Sequence, residues 1–278
     1  MADLLLTGER GYLGSTVAEC LTRAGVDFAI LPDRLEQLAP GSLSCRRVLH
    51  CAGALAHRSE DWQSANVLGT ERLLAALPKD AELIFLSSRS VYDPQDPGPL
   101  TEDSPARPGT GYGASKLAAE MAVRASGRAC VILRVSTLFG VSASGSLGEF
   151  NFPAQALRAL TAGRPVQLFT PDRACDFLDV LALAKTLAAM AGRPLPRQAI
   201  YNVAGRPRSL HTMIEALAAV VRRELGQETK LNYQAGPPPR TAVISSTRFE
   251  TEWGALPQRP DEEVFVAMLR SCCASPAP

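Results

Sequence analysis

An α/β fold, with a parallel sheet flanked by helices on both faces, is what this chain predicts. Two observations carry the prediction. Short apolar, strand-like runs alternate with stretches of helical spacing. A glycine-spaced turn (Gly8, Gly11, Gly14) joins the first such run to the first helical stretch. In order, Ala2–Thr7 reads as a buried strand and Ser15–Ala24 as a helix closed by Gly25. Phe28–Leu31 is the second strand and Arg46–Cys51 the third. Asp61–Leu77 has apolar positions at helical spacing. Glu82–Leu86 is a strand running into Ser87 and Ser88. The Pro- and Gly-rich stretch 93–111 is a loop, Tyr112–Ala125 a helix and Ala129–Arg134 a strand.

Bulk composition narrows the classes. The 278 residues are 46% apolar and 21% charged, which suits one large globular domain, or one plus a small lobe. A net charge of +1 gives no electrostatic case for nucleic acid or a membrane surface. No apolar run approaches the ~20 residues needed to span a bilayer. No basic leader with a cleavage site is read at the N-terminus. The seven cysteines are scattered, form no Cys-x-x-Cys and join no histidine cluster, so a cytoplasmic protein with reduced thiols and no metal is expected.

Thr7–Gly14 follows the first strand and opens a helix. Glycines there let the backbone approach a pyrophosphate, whose charge the helix N-terminus stabilises. Tyr112 and Lys116, four apart, lie on one helix face. A free phenol titrates near pH ~10. A fixed ammonium beside it is expected to favour phenolate. With a serine hydroxyl to orient a C–O group, these are the parts of an enzyme that moves a proton while a cofactor moves a hydride.

These motifs together resemble the extended short-chain dehydrogenase/reductases, the NAD-dependent epimerase/dehydratase family. The resemblance runs through Thr7–Gly14, Val48–Gly53, Asn66–Thr70, Phe85–Tyr92, Leu100–Asp103, Tyr112–Lys116, Leu133–Gly140, Asp176–Val180 and Ile200–Val203. It implies a Rossmann-type doubly wound parallel sheet with a smaller C-terminal substrate-binding lobe. The core would take 1–140 plus a return at about 174–205. The lobe would take 141–173 and 206–270, and 271–278 would be a disordered tail. Tyr112 would be the general acid/base, Lys116 would tune it and hold the nicotinamide ribose, and Ser88 would bind the reacting oxygen. Asn66 would act there or simply tie the central helix to a strand.

Cofactor contacts are expected from Gly8, Arg10, Gly11, Tyr12, Leu13 and Gly14 of the loop. Cys51, Ala52, Gly53 and Val135, with Tyr112 and Lys116, complete them. Substrate contacts are expected from Ser88, Arg89, Ser90, Asn151, Arg173 and Arg240. Phe150, Phe152 and Phe169 are candidates for sugar or base contact, or core aromatics. Arg206 and Arg208 are candidates for a diphosphate. The resemblance also implies a homodimer through a four-helix bundle of helices 61–77 and 112–125.

The chain departs from the pattern in places. Only residues 32–47 separate the second strand from Val48, so one strand or helix of the first half is trimmed. The family's Arg-Asp-Phe is here Cys175-Asp176-Phe177, which moves the arginine expected beside a diphosphate to Arg173. The acid position after the second strand falls on Pro32, flanked by Asp33 and Arg34. Arg34 and Arg10 favour NADP(H), and Asp33 keeps NAD(H) open. The leading expectation is a ketoreductase of a nucleotide-activated sugar or a similar small polar ketone. An epimerase with tightly bound NAD is the alternative, and a non-catalytic NADP-binding sensor or scaffold the third. Family dehydratases carry an Asp-Glu pair where this chain has Arg89-Ser90, which argues against elimination.

Overall fold

The computed structural model describes all residues except 1–2, 32–33, 55–61, 94, 97–98, 149–150, 237–242 and 275–278. Along the chain come β1 (Leu4–Thr7), α1 (Tyr12–Arg23), β2 (Phe28–Ile30), β3 (Arg47–His50), α2 (Gly69–Ala76), β4 (Glu82–Ser88), α3 (Gly111–Ala125) and β5 (Cys130–Val135). Then follow β6 (Leu138–Phe139), α4 (Phe152–Thr161), β7 (Val166–Thr170), β8 (Ala174–Cys175), β9 (Leu178–Asp179), α5 (Val180–Ala191) and β10 (Gln198–Val203). Last are β11 (Arg208–Ser209), α6 (Leu210–Leu225), β12 (Leu231–Ala235), α7 (Thr247–Trp253) and α8 (Asp261–Ala274).

The main sheet has six strands in the order β10-β5-β4-β3-β1-β2, all parallel. Strand periodicity explains its two buried faces. Leu4, Leu6, Leu49, Ile84, Leu86, Val131 and Leu133 point to one side, where α1 (Val17, Leu21) and α5 (Leu183, Leu187) cover them. Leu5, Val48, Leu83, Phe85 and Ile132 point to the other, under α2 (Leu73) and α3 (Ala119, Val123). A near-continuous apolar strand such as Cys130–Val135 is therefore required, since both its faces are dry.

Strand order reverses between β1 and β3, so a crevice opens at their C-terminal ends. The short stretch between the second strand and Val48 contains one 3₁₀ turn, Leu35–Gln37, and β2 is the sheet edge.

Beyond β5 a separate apolar cluster gathers Phe139, Leu157, Leu168, Phe177, Ile214, Leu217 and Phe265 from β6, β7, the link between β8 and β9, and helices α4, α6 and α8. The helix α8 continues through residues 271–274, which the sequence reading gave to a tail. Its apolar residues Val264, Phe265, Met268 and Leu269 are buried, and that burial holds it. No helix among the described residues is long and apolar enough to cross a membrane.

The helix expected over 61–77 is not uniform. Gln63–Leu68 forms a wide π-helical turn before α2. The Thr70 hydroxyl donates to the Asn66 carbonyl (2.7 Å). The Asn66 amide reaches away from the helix, accepting from Ala54 N (2.8 Å) and donating to Ser115 Oγ (3.0 Å). Asn66 thus ties this helix to the loop after β3 and to α3.

Candidate active site

The glycine loop closes on itself at the mouth of β1. Gly8 has φ +77°, and a Cβ there would stand 2.5 Å from Ala52 N. Only glycine allows this approach. A Cβ on Gly14 would lie 2.0 Å from the Gly8 carbonyl, so the start of α1 sits directly against the loop. Gly11 caps α1 with no side chain, which leaves the first-turn N–H groups for an anion. That cradle fits a dinucleotide pyrophosphate. The Tyr12 hydroxyl donates to the Gly140 carbonyl (2.8 Å); burial, then the Asp179 charge, hold its phenol protonated. Leu13, in the first turn of α1, packs half-buried against the core.

The two arginines that favoured NADP(H) are both on the surface. The Arg10 side chain is 94% exposed and pairs with Glu9 (3.3 Å), and Arg34 is exposed. Asp33 lies outside the described residues.

At the end of β3, His50 is buried between two hydroxyls. Thr7 Oγ1 donates to its Nδ1 (2.7 Å), and its Nε2–H reaches Thr70 Oγ1 (3.3 Å). Burial first, and the Lys116 charge second, lower its pKa to about 3, so it is neutral. Cys51 is pushed up to about 12 by burial, against the pull of Lys116. Ala52 N donates to Thr7 Oγ1 (3.3 Å), and Gly53 lies beside the Lys116 ammonium.

Ser88 ends β4, with Val135 its neighbour on β5. Its Oγ accepts from Ser90 N (3.1 Å), which turns the chain into the 3₁₀ turn Arg89–Val91. The helix α3 begins behind the N-cap Thr110, whose hydroxyl accepts from Gly113 N (3.1 Å). Its first turn brings the Tyr112 phenol beside the Ser88 side chain, near enough for that hydroxyl to act on its titration. One turn on, Lys116 is buried, with Nζ 4.7 Å from the Phe85 ring centroid. Burial lowers Lys116 to about 8, while Glu120 and Cys51 raise it.

One expectation is corrected here. Burial pushes the Tyr112 phenol up, and Ser88 alone opposes it. The Lys116 ammonium faces Phe85, Cys51 and Glu120 instead. Together Ser88 and Tyr112 can hold and protonate one oxygen atom at the mouth of the sheet.

The expected substrate residues are dispersed. Arg89 Nη1 donates to Asp176 Oδ1 (3.2 Å), and Ser90 spends its N–H on Ser88. Asn151 caps α4: its Oδ1 accepts from Ala154 N (2.8 Å), and its amide donates to the Leu147 and Gly148 carbonyls (2.9 and 3.0 Å). Arg173 and Arg206 are exposed, while Arg208 pairs with Asp261 (3.0 Å). Phe152 joins the second apolar cluster, and Phe169 is 51% exposed. Arg240 and Phe150 lie outside the described residues. Sequence reasoning missed a buried polar chain behind the site, through Ser87, Glu120, Arg134, Tyr92 and Asn202.

A doubly wound α/β sheet, with a glycine loop at its switch point and a Ser–Tyr–Lys cluster across the crevice, defines the class. Residues 4–204 match the model of the NAD dependent epimerase/dehydratase family, and the chain belongs to that family. A UDP-glucose 4-epimerase of Azospirillum brasilense is 28% identical, covering 92% of this chain and 87% of the relative. A UDP-glucose 4-epimerase of Dictyostelium discoideum is 30% identical over 80% of this chain and 82% of its own. Among solved structures, MoeE5 in complex with UDP-glucuronic acid and NAD superposes with TM-score 0.80 at 21% identity, covering 98% of this chain and 99% of its own.

Proposed function

We propose that the chain is an NAD-dependent 4-epimerase of a nucleotide-activated sugar. The observation that carries this reading is the Ser88–Tyr112–Lys116 cluster, in a chain akin over most of its length to proteins named UDP-glucose 4-epimerase. Reduction, the leading expectation from the sequence, rested on Arg10 and Arg34, whose exposure gives it no fixed anion site.

The glycine loop and the start of α1 would hold the dinucleotide's pyrophosphate, and Lys116 with Tyr112 the nicotinamide ribose. A nicotinamide held there would supply a reversible acceptor for the hydride of the sugar's C4. Tyr112 removes the proton of the sugar's 4-hydroxyl as the C4 hydrogen departs, then gives a proton back to O4 once the keto sugar has turned its other face. Ser88 steadies O4 in both halves. An epimerase returns the hydride it took, so oxidised NAD must be present at rest. NAD, rather than the NADP(H) that the arginines suggested, is the cofactor named in the complex of the structural neighbour MoeE5 with UDP-glucuronic acid.

Purified protein tests this directly. Retained NAD that survives dialysis is expected, with UDP-glucose and UDP-galactose interconverting without added cofactor. Empty protein that oxidises added NADPH with a keto sugar would return the reading to a reductase.

A homodimer through α2 and α3 belongs to the same proposal. Leu68 (44% exposed) and Met121 (64%) present apolar side chains beside a cleft lined by Glu71, Leu74, Ala75 and Ala122. Met121→Asp is expected to convert a dimer to a monomer in light scattering, with the melting temperature little changed because the side chain touches solvent in the single chain. A wild-type monomer would remove this part of the proposal.

A further inference from the structure

Behind the Ser88–Tyr112 contact runs a buried polar chain that the reaction above does not use. Glu120 stands one turn after Lys116 on α3 and is buried. Its carboxylate accepts from Arg134 Nη2 (2.7 Å) and Nε (3.0 Å), and from the Ser87 hydroxyl. Arg134 goes on to donate from Nη1 to the Tyr92 hydroxyl (3.0 Å), and its guanidinium lies 4.9 Å from that ring's centroid. The Tyr92 hydroxyl donates to Asn202 Oδ1 (2.7 Å), and Asn202 Nδ2 donates to the Leu100 carbonyl (3.1 Å). Glu120 is therefore bound directly to the residue before Ser88. Through Arg134 it is bound to the residue that follows the 3₁₀ turn.

Stability alone is a weak reason for such an arrangement. A buried ion pair often gains nothing over well-packed apolar residues of the same volume. What the position offers is a fixed negative charge on the face of α3 that carries Lys116. The other groups facing Lys116 are uncharged: His50 and Cys51 at the end of β3, and the Phe85 ring on β4. Among the described residues, Glu120 is the carboxylate acting on that ammonium.

We propose that Glu120 is a positioning residue for the reacting centre: held by Arg134 and Ser87, it keeps Lys116 in its charged form and fixes the β4 exit that carries Ser88 against α3. The proposal rests on the reading of Tyr112 and Lys116 as the proton-transfer pair. Its sign is definite. Burial draws the lysine down to about 8, so the ammonium is lost as pH rises through that value. Replacing the Glu120 charge by a neutral amide removes the group that opposes this shift and leaves the Arg134 guanidinium uncompensated nearby. Both changes make Lys116 lose its proton at lower pH.

The test follows lysine side-chain carbon resonances against pH in Glu120→Gln and in the unaltered protein, with Lys116→Arg to assign the signal. The pH profile of UDP-galactose turnover is measured alongside. A fall of the Lys116 midpoint by on the order of one pH unit is expected, with the alkaline limb of turnover moving the same way. Glu120→Asp, which keeps the charge, should restore most of the midpoint. If Glu120→Gln does not fold, the double variant Glu120→Gln/Arg134→Met removes the pair without stranding a charge, and the same fall is expected. An unmoved Lys116 midpoint in the variant that folds overturns the proposal, whatever its melting temperature. Tyr112→Phe run in parallel separates the two readings: full turnover there sinks the assigned chemistry, while the lysine midpoint still decides the role of Glu120.

Discussion

Tyr112→Phe is expected to lower kcat for UDP-glucose/UDP-galactose interconversion by about 10²–10⁴-fold, the usual worth of a positioned acid/base. The substitution removes one oxygen and keeps the ring. That oxygen lies beside the Ser88 side chain, whose hydroxyl keeps the bond it accepts from Ser90 N after the change. Stability should fall by less than about 1 kcal/mol, and retained NAD should be unchanged. Turnover measured by coupled assay, beside a thermal melt and the absorbance of bound cofactor, checks all three. A variant with the melt and cofactor of the parent and more than a tenth of its turnover would remove Tyr112 from the chemistry. The pH dependence has a defined direction. Burial raises the phenol, so at neutral pH Tyr112 carries its proton in the free protein and is ready to donate it. Forming the phenolate for the oxidising half is the harder step, and within the chain the Ser88 hydroxyl assists it.

What was legible in the sequence was local. The glycine spacing after an apolar strand, and a tyrosine and lysine one turn apart, are short-range patterns whose geometry the backbone dictates: the first forms the turn between β1 and α1, and the second opens α3 with Tyr112 beside Ser88. Longer-range features did not show. Glu120 is four residues after Lys116, a spacing visible in the chain, yet a glutamate on a helix ordinarily faces solvent. Only the packing of α3 against β4 and β5 buries it beside Arg134. Asn151 has the side chain of a ligand contact, but its amide closes a loop and caps a helix. Arg10 and Arg34 have the right chemistry for a phosphate, and nothing local says whether a long side chain will be held or left in solvent. The Tyr112 shift went the other way from expectation because two side chains on one helix face need not point at each other. Lys116 turned to the Phe85 ring, within the field of Glu120. Reduction and epimerisation share the same proton chemistry at one C–O bond, so the motif residues alone do not choose between them.

Gly113→Ala is expected to be the most damaging single methyl in the catalytic helix, and two opposing effects decide its sign. In a helix interior, alanine is favoured over glycine by about 1 kcal/mol. Position 113 lies in the first turn of α3, so that gain is at most partial. Against it, a Cβ at 113 would stand 2.0 Å from the Ser90 carbonyl oxygen and 2.9 Å from its carbon, with Pro108 Cβ at 3.0 Å. These are mainly backbone atoms of the turn that follows Ser88, and they have no rotamer to change. Relief requires α3 and that turn to separate, at a cost of about 1–3 kcal/mol for overpacking, and the clash wins. Gly111→Ala is the matched control. A Cβ there meets the Trp62 ring at 2.6 Å, a side chain outside the turn that follows Ser88. The melting temperature should fall clearly for Gly113→Ala and little for Gly111→Ala. Turnover should follow the same order, because opening the Ser90–Gly113 contact draws Tyr112 on α3 away from Ser88 at the end of β4. NAD retention, which depends on the loop at Gly8–Gly14, should be the same in both. Equal melts for the two variants would show that the Ser88–Ser90 turn yields freely, and that the close contact of strand exit and helix does not set the geometry of the site.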